Sequence, residues 1–147
     1  MGQLMNQFKP KVEAGQIALD AVEGKALNVM ISSDYAGTGV KNGDVVSLVT
    51  TSTGPEIIVT PKTSGAALGV VAFNAVKNKY GAGDFCTVFI GGKFVYAEIG
   101  EAVDAGDELT WDNSTMKFVK KTDGTVDAIA LDKTGAGLSR VVVKGIF

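Results

Sequence analysis

From residue 27 onward the chain sustains almost no helical spacing of apolar residues. A helix needs apolar positions at i, i+3, i+4 and i+7, and one window, "AALGVVAFNAVKN", leaves helix and strand both open. The rest is short β-branched and aromatic runs bounded by Gly, Asn, Asp or Ser. That pattern predicts strands over 27–31, 44–50, 56–60, 69–73, 85–90, 93–98, 108–111, 117–120, 126–131 and 139–146. The expected fold is all-β: a small β-barrel or sandwich of about ten short strands.

The punctuation supports this. Glycine supplies 19 of 147 residues and proline 3. Glycine near 7% is usual, so many tight turns are implied. The triplet Gly43-Asp44, Gly83-Asp84 and Gly106-Asp107 recurs just before strands, at irregular intervals unlike a repeat array. Glycine takes positive φ without steric cost, and the following Asp accepts hydrogen bonds from turn N–H groups. These six residues are therefore read as turn-building. The rival reading pairs two of the carboxylates as a hydrolase site, which needs a set separation that nothing at short range imposes.

Two hairpins are expected. In "TVFIGGKFVYAE", Gly91 and Gly92 suit a type I′ turn between strands 85–90 and 93–98. In "LTWDNSTMKFVKK", Asp112, Asn113 and Ser114 set the turn through side-chain bonds to their own backbone. Most aromatics fall at strand spacing and are read as core. The C-terminal run "GLSRVVVKGIF" is read as packed rather than free.

Several function classes are disfavoured. The chain has no histidine, which removes the commonest general base and metal ligand. Its single cysteine, Cys86, lies in an apolar run and is read as a small buried hydrophobe. Net charge is −2 with no long basic run, so no nucleic-acid partner is expected. The oxygen-rich loops "DNSTMK" and "DGTVD" do not match a calcium loop, and "TSGAALG" lacks the ending of a phosphate loop. No catalytic residue, metal or cofactor is expected. No secretion signal or run of ~20 apolar residues is visible, so a soluble chain made in a cytoplasm, with no membrane partner, is expected.

Residues 1–26 differ from the rest. They carry scattered apolar residues, Pro10, Gly15 and Gly24, and only "GQIALDA" alternates. They are read as an N-terminal arm, lying on another surface or frayed ahead of a first strand, before a single β domain at 27–147.

The order "GAALGVVAFN", "TVFIGGKFVYAEI", "VDAGDELTWDNSTMKFVKK", "AIALDKTGAGLSRVVV" resembles tailed-phage head decoration (capsid cement) proteins. The residues carrying it are Gly65, Gly69, Lys93, Phe94, Gly106, Asp107, Leu109, Trp111, Asp112 and Val141 to Val143. It covers roughly residues 40–147. The resemblance implies a β-tulip-like fold and a homotrimer seated on the outer surface of the virion head. It implies the major capsid protein as partner, and an arm that adds a strand to the shell or runs along it. Phe8, Val12, Ile17, Leu19 and Tyr35 are then the candidate shell contacts. Another virion, tail or glycan-binding β module is the alternative.

Overall fold

The computed structural model describes residues 12–18, 25–51, 54–63, 65–122 and 124–145. All ten expected strands are present, with ends shifted by up to three residues. They are β1 (Ala26–Ile31), β3 (Val45–Leu48), β4 (Ile58–Pro61), β5 (Gly69–Val71), β7 (Phe85–Phe89), β8 (Phe94–Ile99), β9 (Glu108–Asp112), β10 (Lys117–Lys120), β11 (Ala128–Ala130) and β12 (Gly137–Val143). Two further strands, β2 (Val40–Lys41) and β6 (Lys79–Tyr80), pair only with each other. Two residues are too short to show alternation, which is why the sequence does not reveal them. The ambiguous window resolves as β5 followed by an irregular loop.

The strands close two barrels. The first runs β1-β4-β3-β5-β7 and the second β8-β10-β9-β11-β12, each closing on itself. The chain order within the two is the same. Each has one parallel contact, β1 with β4 and β8 with β10, and is otherwise antiparallel.

The likeness extends to single hydrogen bonds. Val71 N–H donates to Asp44 C=O and Ala130 N–H to Asp107 C=O. Lys62 N–H donates to Val45 C=O and Lys121 N–H to Glu108 C=O. Leu68 N–H donates to Val46 C=O and Asp127 N–H to Leu109 C=O. Ser32 N–H donates to Val59 C=O and Gly100 N–H to Phe118 C=O. The chain is one barrel pattern written twice, with loops of different length between equivalent strands.

The hairpin expected at Gly91-Gly92 does not form. β7 pairs with β1 and β5, while β8 pairs with β12 and β10. Both strands have their neighbours inside their own barrels, so the two glycines link barrel to barrel. Only Gly92 has positive φ, whereas a type I′ turn needs both central residues there. The second hairpin forms: Lys117 pairs with Asp112 and Phe118 with Trp111. Asp112 Oδ1 accepts the Ser114 N–H and hydroxyl, which holds its carboxyl below the usual range.

Each barrel has its own core. Val29, Ile31, Val46, Leu68, Val71 and Val88 fill the first. Val95, Ile99, Leu109, Phe118 and Val141 fill the second, with the Trp111 ring edge-on to Phe118 at 5.1 Å. Val45, Ala67 and Val70 of the first barrel join the second core, partly covered by Phe89. That explains consecutive buried residues such as Val45-Val46. One side chain faces its own core and the next faces the neighbouring barrel. Glu108, the equivalent of Val45, faces solvent.

Residues 15–18 belong to this folded body. Gly15 N–H donates to Tyr96 C=O, Tyr96 N–H to Gln16 C=O, and Ala18 N–H to Phe94 C=O. Ile17 bridges Val95. The segment covers the part of β8 that β10 leaves free, because β10 meets β8 only at Ile99. The structured body therefore begins upstream of residue 26.

Candidate interaction surface

A partly apolar surface forms around Phe73, just after β5. Phe73 borders three adjoining grooves. The first, about 380 Å³, is also lined by Asn28, Lys77, Tyr80 and Phe85. The second is lined by Glu13, Lys41 and Lys79, the third by Ile17 and Phe89.

The loop after Phe73 is braced. Asn74 Oδ1 accepts the N–H groups of Val76 and Lys77, and Asn74 C=O accepts from Asn42 Nδ2. Lys77 Nζ lies 3.2 Å from Asp84 and 5.2 Å from the Tyr80 ring centre. Held this way, the loop presents Val76 at 97% exposure. Phe85 is 52% exposed because Cys86 and Val88 take the inward positions of β7. Strand spacing marks Phe85 as core. The parity of the alternation, set by burial of Cys86, puts it outside. Burial pushes the Cys86 thiol up to about 11.

The expected contact residues fall unevenly. Ile17 lies in this surface beside Phe73 and Phe89, and Val12 is partly exposed. Tyr35 packs against the first core, and its hydroxyl accepts the Gly39 N–H at 3.0 Å. It is apart from the Phe73 grooves. Phe8 and Leu19 lie outside the described residues. The sequence reading missed Phe73, Val76, Phe85 and Phe89 as surface residues. Asn74 behind an apolar run was the available signal for a capped loop.

The three Gly-Asp units share one geometry. Asp44, Asp84 and Asp107 accept the N–H of Lys41, Gly81 and Asp104 at 2.8, 2.7 and 2.8 Å. Gly43, Gly83 and Gly106 have φ of 86°, 80° and 90°. Their surroundings differ. Asp44 is buried, and desolvation raises its pKa to about 6 despite the Lys41 N–H and ammonium. Asp84 is half-buried, and its bonds to Gly81 and Lys77 hold it below the usual range.

One buried polar cluster was not foreseen. Lys62, at the end of β4, forms an ion pair with Asp127, just before β11. Lys62 Nζ also donates to Thr110 and Thr125 hydroxyls, each at 3.2 Å. Asp127 Oδ2 accepts the Trp111 N–H at 2.8 Å. Every charge is partnered, as burial requires. The cluster joins the two barrels.

No protein-family model matches the chain, and no curated protein matches it. Among solved structures it is similar to the N base of the head fibre gp8.5 of bacteriophage phi29. The TM-score is 0.55 at 15% identity, covering 82% of this chain and 94% of that one. At this identity the likeness is one of fold.

Proposed function

We propose that this chain is a structural protein of a tailed-phage virion, a decoration protein that seats as a homotrimer on the outer surface of the head and stabilises the shell. The observation carrying this reading is the fold shared with a head fibre base over nearly its whole length. The sequence pattern over residues 40–147 supports it independently. A partly apolar, lysine-rimmed surface around Phe73 supplies a contact face, with the major capsid protein as partner. Stabilisation follows from mass action: a ligand that binds only assembled shell raises the shell's melting temperature. No catalysis is part of this reading.

The sugar-binding alternative wants an exposed aromatic platform; the single tryptophan is buried against Phe118, and Phe85 is the one large aromatic exposed among the described residues. The test is co-sedimentation of purified protein with expanded heads assembled without it. Binding and a raised head melting temperature are expected, and failure to bind heads of the source phage sinks the proposal. Removing residues 1–11 should weaken binding and leave the fold intact. Removal to residue 25 is a poor test, because residues 15–18 hold β8.

A further inference from the structure

The barrel equivalence exposes a strand edge that no described residue fills. On β8, Tyr96 N–H and C=O and Phe94 C=O point away from β12 and are taken by residues 15–18. The register of β8 on β12 matches that of β1 on β7. Tyr96 faces Arg140 as Asn28 faces Thr87, and Val95 faces Val141 as Leu27 faces Val88. Asn28 and Ala26 therefore stand where Tyr96 and Phe94 stand.

Backbone direction confirms the assignment. Ile31 N–H donates to Asp84 C=O, toward β7, while Met30 N–H donates to Ile57 C=O, toward β4. Directions alternate along a strand, so Asn28 and Ala26 also point toward the β4 side. There β4 starts only opposite Met30. Among the described residues nothing pairs with Asn28 N–H, Asn28 C=O or Ala26 C=O.

Burial tells the same story. Val95 is fully buried, but its equivalent Leu27 is only partly so. Ala26 and Asn28 are exposed where Phe94 and Tyr96 are half-buried.

We infer that the Ala26–Asn28 edge of β1 is a strand-acceptor site that takes an extended segment of the head-shell protein. This inference rests on the function proposed above. Strand addition draws affinity from main-chain bonds and specificity from side-chain pockets beside the edge. Asn28 lines the groove with Phe73, Lys77 and Phe85, so such a pocket is present beside the edge. A second copy is the weaker occupant. Pairing of this edge with the same edge of a second copy is a two-fold contact, which the proposed three-fold assembly does not supply. The reach of the site is short, three residues, as it is for residues 15–18 on β8.

The test uses the full chain and undecorated expanded heads. Asn28→Pro removes the outward N–H and leaves the β7 bonds of Leu27 and Val29 in place. Its head affinity should fall at least ~10-fold, and further than in Asn28→Ala, which keeps the backbone N–H and loses only the side chain. Equal binding by Asn28→Pro overturns the edge and leaves the function standing. Wild type that binds no head overturns both. Should Asn28→Pro not fold, amide exchange of the wild type decides. The Asn28 amide should exchange freely in the free protein and slow on the head. No slowing, or protection already present in a free self-associated form, overturns the inference.

Discussion

Lys62 and Asp127 come from different barrels and meet in an ion pair with side-chain exposures of 5% and 0%. Neither has an equivalent doing the same work. Lys121, which matches Lys62, pairs with Glu108 in solvent, and Leu68, which matches Asp127, sits in the first core. The pair is therefore specific to the junction.

Removing one partner strands a buried charge. Lys62→Ala should cost about 3–5 kcal/mol, and Asp127→Ala a similar amount. Replacing both with apolar residues of like volume should recover much of the loss. Denaturant unfolding of the singles and the double measures this. Singles within ~1 kcal/mol of wild type would show that the pair is not desolvated.

Gly15 is wedged between barrels. Its N–H reaches Tyr96 and its C=O receives Phe73 N–H. Its φ is 85°, and an added Cβ would lie 2.6 Å from Val71 C=O. Gly15→Ala should lower stability by ~2–4 kcal/mol and speed exchange of the Tyr96 amide. A melting temperature like that of wild type would contradict the docked segment.

Asp44 makes stability depend on pH. Its folded pKa of about 6 lies above the unfolded value of 3.8, so the folded state favours the neutral acid. That contribution is full below pH 3.8 and is lost as pH rises toward 6. The loss is on the order of 2–3 kcal/mol. Asp44→Asn keeps an acceptor for the Lys41 N–H and should flatten the fall. Unfolding curves from pH 3.5 to 7 on both proteins check it, and an unchanged slope in Asp44→Asn counts against the assignment.

The Gly-Asp turn predicts a small uniform cost elsewhere. Asp107→Ala loses the bond to Asp104 N–H and should cost ~1 kcal/mol, and Asp107→Asn should restore most of it. Asp84→Ala should lose somewhat more, since Lys77 and its loop depend on it as well. Loss of head binding in Asp107→Ala, with stability unchanged, would give that carboxylate a role beyond its turn.

Cys86 is buried with its thiol raised to about 11. It should ignore an aromatic disulfide reagent in the native state and react once the protein unfolds. Prompt native labelling would mean that β7 opens.

The sequence alone determined the ten barrel strands, the all-β class and the chemistry of the Gly-Asp and Asp112 turns. These follow from neighbours: Gly-Asp needs positive φ and a nearby N–H, and Asp112 needs only Ser114. What it could not determine is which strands pair. "TVFIGGKFVYAE" has every local sign of a hairpin, yet β7 and β8 bond elsewhere. Pairing is decided by which partners can bury both faces at once, a property of the whole chain. The duplication was hidden for a related reason. Equivalent positions keep backbone bonds and not side chains, so Val45 answers to Glu108 and Leu68 to Asp127. Likewise, alternation marks two faces of β7, but only closure of the first barrel on Cys86 and Val88 turned Phe85 outward.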